Sequence, residues 1–238
     1  MVFKVFIGFD STNYGQELAF EVCKKSILKH NPDVEVHKLV RKDLIDQGLF
    51  WREDNTGVTE FTYTRFLVPY LCNYEGHAIF CDSDFLWFED VANVFNKYAD
   101  PEKAVSCVKH KYTKCNANQK MDGRPQEYYP RKNWSSMMLF NCAHPSTKKL
   151  TPEAVSTQTP AWLHRMYWAA DEEIGEVDKR YNYLVDYYHD NDFGVLHYTD
   201  GGPWHPKYEK VEHGEKWLAY VSDAEKQRMV DEMGLNFE

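Results

Sequence analysis

No uncharged apolar run in the chain approaches the roughly 18 residues that span a bilayer, so no membrane-crossing helix is expected. A basic segment followed by a long apolar one is also missing at the start. Met1–Asp10 reads as a strand instead, and no signal peptide is expected. Positive charge is in short supply: 28 Lys and Arg face 37 Asp and Glu, a net charge of −9. That balance argues against a nucleic-acid binder or a partner of anionic membranes. The six cysteines (Cys23, Cys72, Cys81, Cys107, Cys115, Cys142) form no CxxC pair. They read as small buried apolar side chains in a reducing, cytoplasmic setting, with no zinc site among them. What the sequence has in quantity is aromatic side chains, at 16% of its 238 residues. With 43% apolar and 27% charged residues, the composition is that of a soluble globular domain and excludes disorder.

Val2–Phe9 is a compact apolar strand that ends in Gly8-Phe9-Asp10. After the polar turn 11–15, residues 16–30 place Leu18, Ala19, Val22, Cys23, Ile27 and Leu28 at helical spacing, and Asn31-Pro32-Asp33 stops the helix. Val34, Val36 and Leu39 mark a second strand. This opening predicts a parallel pair with a ligand crevice at the carboxyl end of the first strand. Further on, Thr62–Tyr74 is an amphipathic segment interrupted by Pro69. Strands are expected over 78–81, 104–108, 136–140 and 195–198, and an aromatic helical stretch over 160–170. Strands and helices alternate with no repeat or linker, so the whole of 1–238 reads as one α/β domain.

Asp82 and Asp84 follow the buried run Ala78-Ile79-Phe80-Cys81, and Phe85-Leu86-Trp87-Phe88 comes directly after them. Carboxylates two residues apart at the end of a strand converge on one cation, and oxygen ligands suit Mg2+ or Mn2+ carrying a diphosphate. A solvated Asp-x-Asp turn is the plain alternative, but such turns seldom have both flanks apolar. Late in the chain His197 ends a strand before Gly201-Gly202-Pro203-Trp204. A neutral imidazole there completes a metal site, and paired glycines let backbone approach a ligand closely.

These residues resemble a GT-A fold glycosyltransferase, most closely the retaining glycosyltransferase family 8 that includes glycogenin. The resemblance runs from the first strand to about Trp217. It implies a Rossmann-like α/β domain with a central, mostly parallel mixed sheet flanked by helices. Residues 1–100 would hold mainly nucleotide and metal, 101–221 mainly sugar and acceptor, and 222–238 a C-terminal helix. Asp10, Asn13 and Tyr14 match the family's nucleobase contacts. Arg65 matches its basic donor contact, and Asp82, Asp84 and His197 match its metal ligands. The implied donor-binding set is Phe9, Asp10, Asn13, Tyr14, Arg65, Asp82, Ser83, Asp84, Asn133, Ser136, Gly201, Gly202, Trp204 and Lys207. Asp171-Glu172-Glu173 resembles the family's Asp-Gln-Asp helix start, which makes Asp171 and Glu172 the catalytic candidates. The implied activity is Mn2+- or Mg2+-dependent transfer of a hexose, with retention, from a nucleotide-diphosphate sugar, UDP-sugar favoured, to a glycan or other hydroxyl acceptor. The sequence departs from the family at Gly202-Pro203-Trp204, where Lys-Pro-Trp is usual, and Lys207 is a candidate substitute. Glu172 stands where Gln is usual. Such departures mark a distinct branch, of bacterial or viral type.

Two other readings stay open: a nucleotidyl- or phosphoryl transferase with the same metal logic, and a non-catalytic carbohydrate-binding protein. No Gly-rich loop with a following Lys succeeds the first strand, which argues against the former. The intact metal ligands together with Glu172 argue against the latter. Lys109–Lys132 carries seven bases against two acids and reads as a loop, either solvated or closing over phosphates. Asp171–Asp192 carries eight acids against two bases, with Tyr181, Tyr183, Tyr187 and Tyr188 as core rings or sugar platforms. Ser222–Glu238 reads as an amphipathic helix for packing or for homo-oligomer contacts.

Overall fold

The computed structural model describes residues 2–53, 59–111 and 130–237. Among these, the strands are β1 (Lys4–Gly8), β2 (Glu35–Leu39), β3 (His77–Cys81), β4 (Phe85–Trp87), β5 (Val105–Cys107), β6 (Met137–Asn141), β7 (Ile174–Glu176), β8 (Tyr183–Leu184) and β9 (Val195–His197). The α-helices are α1 (Tyr14–His30), α2 (Arg41–Asp46), α3 (Val68–Leu71), α4 (Ala92–Tyr98), α5 (Pro152–Thr157), α6 (Pro160–His164), α7 (Gly214–Leu218) and α8 (Asp223–Met233). The central sheet has six strands in the order β2-β1-β3-β6-β5-β7, and a smaller sheet has the order β4-β9-β8. In the central sheet β1 pairs parallel with β2 and β3, and β5 parallel with β7, while β6 runs antiparallel to both its neighbours.

Side-chain alternation sends the central strands to two cores. Phe6, Ala78, Phe80, Met138 and Phe140 face one side, where Leu44 of α2, Val68 of α3, Val155 of α5 and Leu163 of α6 cover them. Val5, Ile7, Ile79, Cys81, Met137 and Leu139 face the other, under Phe20 and Ile27 of α1 and Val94 of α4. Burial on both faces explains why β3 is a continuous apolar run. A third cluster joins Leu86, Tyr183 and Leu196 of the small sheet to Leu18 and Val22 of α1, to Trp204, to Trp217 of α7 and to Met229 of α8.

Local chemistry sets the element ends. Asn13 caps α1, its side chain accepting from the Gln16 amide, so the helix begins two residues earlier than its apolar spacing predicts. The 62–74 segment is not one helix. A 3-10 turn, Thr64–Leu67, gives way to α3 with Pro69 in its first turn, and Asn73 and Tyr74 end it in left-handed conformations. The aromatic stretch after Pro160 is helical only to His164, and Met166 then turns with φ +55°. The described cysteines are buried and free. Tyr181 and Tyr183 are core residues, and Tyr187 and Tyr188 are half-buried. Most of the 109–132 loop, including the bases Lys114, Lys120 and Arg124, lies outside the described residues. No helix among them is long and apolar enough to cross a membrane.

Candidate metal centre

β1 and β3 lie side by side in parallel, with Ile7 opposite Cys81, so the residues that follow them emerge at one edge of the sheet. Asp82 is anchored there by its amide, which donates to the Ser136 carbonyl at 2.9 Å. The chain turns through buried Ser83 and starts β4, which pairs antiparallel with β9 so that Phe85 lies opposite His197. The Tyr198 amide donates to the Asp84 carbonyl at 3.1 Å. Two sheets thus meet at the Asp82-Ser83-Asp84 turn. That junction brings ligand atoms of Asp82, Asp84 and His197 within 4.8 Å of one another, and among the described residues it is the one such acidic and histidine group.

His197 is 2% exposed and its ring stacks on Phe85 at 4.4 Å. Its Nδ1 lies 2.8 Å from Asn182 Oδ1, while Asn182 Nδ2 donates to Ser136 Oγ at 2.9 Å and Ser136 Oγ donates to the Asn133 carbonyl at 2.7 Å. The amide orientation assigned to Asn182 makes its Oδ1 an acceptor, so the proton sits on Nδ1. In the neutral ring Nε2 then offers a lone pair, at 3.4 Å from Asp84 Oδ1. That oxygen is buried and has no hydrogen-bond donor. Two lone pairs facing each other call for a cation between them, a proton or a metal ion. On the other flank Arg65 Nη1 lies 2.8 Å from Asp82 Oδ1, its guanidinium also bonding the carbonyls of Phe61, Thr62 and Ser135. Burial lifts the Asp82 pKa to about 7; Arg65 pulls it down and Asp84 pushes it up. Two carboxylates and an imidazole, short of positive charge, fit a divalent cation of the Mg2+ or Mn2+ kind.

No family model matches the chain. It is 41% identical over 233 residues to Protein CDI of Arabidopsis thaliana, covering 94% of this chain and 88% of that one. The chain belongs to the CDI family. That relative is a plant protein, so the expectation of a bacterial or viral branch finds no support in it. In structure this CDI-family chain is similar to the glycosyltransferase GlyE of Streptococcus pneumoniae TIGR4, with a TM-score of 0.61 at 12% identity over 97% of the chain. It spans 63% of GlyE, less than two thirds of that protein's length. It is also similar to the galactosyltransferase LgtC, in complex with donor and acceptor sugar analogues, with a TM-score of 0.53 at 14% identity over 94% of this chain and 99% of LgtC. At such identities the likeness shows the fold, which is GT-A.

Around the CDI-family triad the remaining sequence candidates fall into three groups. Phe9, Asp10, Asn13 and Tyr14 occupy the end of β1 and the start of α1, at the same edge as Asp82. Asp10 is buried and accepts from the Thr12 and Glu60 amides, Phe9 lies under the Lys38 ammonium, and the Arg228 guanidinium covers the Tyr14 ring at 3.8 Å. Asn133 and Ser136 join the triad through hydrogen bonds, Asn133 Nδ2 also donating to Thr199 Oγ1 at 3.1 Å. Gly201, Gly202 and Trp204 pack against the protein's own rings. A Cβ on Gly201 (φ +146°) would stand 2.3 Å from the Tyr208 ring, and one on Gly202 would stand 2.0 Å from Trp204. The close approach that these glycines allow is therefore to Tyr208 and Trp204, and Trp204 is core, 4.9 Å from Trp217. Lys207 is exposed beside Tyr208.

Asp171 and Glu172 stand apart. They form a single 3-10 turn that runs into β7 and start no helix. Glu173 lies level with Ala104 and so with Asn141 and His77, five residues of strand from the Asp82 end. At about 3.3 Å per residue that is about 16 Å along the sheet. Both are exposed; Asp171 pairs with Arg131 at 2.5 Å and the Glu172 carbonyl accepts from Lys103. The structure does not bring them to the triad.

Four more residues stand near the site, of which Lys132 belongs to the basic 109–132 segment and the other three are not singled out by sequence. Asn182 orients His197. His110 stays neutral, its pKa dropped to about 3 by burial and by His197, and shares a 2.7 Å hydrogen bond with Tyr188 Oη. Asp200 is buried and accepts from Tyr187 Oη at 3.0 Å, and Lys132 is buried in the adjoining segment. No local motif marks Asn182 or His110, because the partners that give them their place are distant in sequence.

Proposed function

We propose that this protein is a metal-dependent glycosyltransferase. It moves a hexosyl group from a nucleoside-diphosphate sugar, a UDP-sugar in the favoured case, to a hydroxyl of a glycan or other acceptor, with retention at the anomeric carbon. The observation that carries the reading is the Asp82, Asp84 and His197 cluster, with a buried Asp84 oxygen that has no donor, at the carboxyl edge of a GT-A sheet. Bound there, Mn2+ or Mg2+ supplies Lewis acidity to the diphosphate leaving group. Asn182 holds His197 in the tautomer that presents Nε2. Arg65 fixes Asp82, and its charge opposes the rise in the Asp82 pKa that burial and Asp84 bring about. Asp10, Asn13 and Tyr14, beside the Phe9 ring, receive the nucleobase and ribose, a role supported by their place at the end of β1. The half-buried Tyr187 and Tyr188, held by Asp200 and His110, offer ring faces to a sugar. Asp171 and Glu172 hold Arg131 and Lys103 and take no part in the chemistry.

The test is incubation of the protein with UDP- and GDP-hexoses and Mn2+, with detection of the released nucleotide and NMR of the sugar product. The reading predicts a nucleoside diphosphate, dependence on the metal, and a product with the donor's anomeric configuration. Pyrophosphate release would make the protein a nucleotidyltransferase, and an inverted product would overturn retention.

A further inference from the structure

Two segments run together from the metal centre to the opposite end of the sheet. One is the 3-10 turn with α3, from Arg65 to Cys72; the other is Ser135, Ser136, β6 and Cys142. Cys72 follows Arg65 by seven residues, and Cys142 follows Ser135 by the same number. At the metal end the segments are bonded, Arg65 Nη1 donating to the Ser135 carbonyl at 2.8 Å. At the far end they meet again. The chain leaves α3 through Asn73 and Tyr74 (φ +54° and +55°) and Gly76 (φ +65°), and the Gly76 carbonyl accepts the Cys142 amide at 2.9 Å. That turn brings the two thiols together in the core under α2, α3, α5 and α6, where the Cys142 thiol donates to Cys72 Sγ.

The surroundings give the two sulfurs different roles. Cys72 is 5% exposed and Cys142 not at all, so a small solute reaches the pair from the Cys72 side. On that side a cavity of about 270 Å3 opens, lined by Lys4, Phe6, Asp43, Leu44 and by Leu71, the residue before Cys72. Lys4 is the cation whose charge acts on both sulfurs. The hydrogen bond from Cys142 lowers the Cys72 pKa, Lys4 adds to the effect, and burial opposes both. The same bond and burial hold the proton on Cys142. A thiol that ionises readily at the solvent side, backed by one that keeps its proton, is the arrangement of an attacking and a resolving cysteine. The chain's other bonded pair, Cys23 and Cys81, is fully buried at both residues, which denies an oxidant entry.

We propose that Cys72 and Cys142 are a redox-active dithiol that hydrogen peroxide converts to a disulfide. The Cys72 thiolate attacks one peroxide oxygen and the O–O bond breaks. The departing hydroxide takes up the proton that Cys72 released and leaves as water, and Cys72 becomes a sulfenic acid. Cys142 Sγ then attacks Cys72 Sγ, its proton passes to the sulfenic oxygen, and the S–O bond breaks to release a second water. Two electrons pass from the dithiol to the peroxide, and a small thiol reductant returns them. The new bond closes the far end of a frame whose near end carries Arg65 and, through the Ser136 carbonyl, the Asp82 amide. Oxidation thus fastens the arm that holds Arg65 to the strand that anchors Asp82, whatever the metal centre binds.

The experiment exposes the folded, reduced, full-length protein to a small molar excess of hydrogen peroxide, blocks the remaining thiols with iodoacetamide, and maps the peptides by mass spectrometry beside a thermal melt. Wild type and Cys115→Ser are expected to yield the peptide cross-linked between Cys72 and Cys142 and to melt several degrees higher, and dithiothreitol should reverse both changes. Cys142→Ser should stop at a Cys72 sulfenic acid that dimedone traps, and Cys72→Ser should give neither product. The cross-link itself is read in wild type, so a variant that folds poorly does not decide the matter. Folded wild type whose Cys72 and Cys142 stay reduced, with or without oxidation of other cysteines, or a cross-link that forms only after denaturation, would overturn the proposal. A cross-linked protein that melts no higher than the reduced one would overturn the fastening of the frame.

Discussion

Replacing Asn182 by alanine removes the acceptor that fixes the His197 tautomer without touching a metal ligand. Two hydrogen bonds go at once, the 2.8 Å contact to His197 Nδ1 and the 2.9 Å contact to Ser136 Oγ, both in fully buried surroundings. A buried N–H left unpaired costs about 1–3 kcal/mol, so Asn182→Ala should lower folding stability by roughly that amount. The effect on the metal is separate. With Nδ1 free to lose its proton, the ring can place it on Nε2, which then no longer offers a lone pair beside Asp84. Loss of such outer partners typically weakens metal affinity by about 10–100-fold, or about 1.4–2.7 kcal/mol. Mn2+ titration followed by electron paramagnetic resonance reads the affinity, and thermal melting without metal reads the stability. A variant that melts lower yet binds Mn2+ as wild type does would refute the orienting role and leave Asn182 a packing residue.

Two further outcomes bear on the placement of the sequence candidates. Glu172→Gln should leave turnover within about twofold of wild type in the donor-hydrolysis assay, because the carboxylate lies at the far end of the sheet from Asp82; a fall of a hundredfold would restore it to the chemistry. Gly202→Ala puts a Cβ 2.0 Å from the Trp204 ring in the third core, and overpacking of this kind costs about 1–3 kcal/mol or more. Its melting temperature should drop by several degrees, and an unchanged value would show that Trp204 can move aside.

The parts of this architecture that can be read from sequence are those written in contiguous residues. Ala78-Ile79-Phe80-Cys81 leaves no polar position for solvent, so a strand covered on both faces and carboxylates at its end follow from the run alone. The apolar spacing of 18–28 likewise gives α1, though not its first two residues, which depend on the Asn13 cap. Short strands are not legible. Ile174-Gly175-Glu176 and Tyr183-Leu184 are too brief to show a period, and without β7 on the page the acids at 171–173 look like a helix start when they are the approach to an edge strand. Nor do glycines announce what they admit. Gly201 and Gly202 are compatible with a ligand's approach in sequence, and only the packed Tyr208 and Trp204 rings decide between ligand and core. Asn182 is the clearest case of illegibility, since what gives it its role is His197, brought in from another segment.

The central claim is that Asp82, Asp84 and His197 hold a divalent cation that a nucleotide sugar uses. Asp84 separates function from fold because its Oδ1 has no donor and its charge lies beside that of Asp82, so Asp84→Asn should melt no lower than wild type in the absence of metal. The direct measurement is calorimetry of Mn2+ binding, with and without UDP, to wild type and Asp84→Asn. One Mn2+ per chain in wild type, tightened by UDP and weakened at least a hundredfold in a fully folded Asp84→Asn, is the predicted result. A folded Asp84→Asn that binds Mn2+ as tightly as wild type would contradict the account.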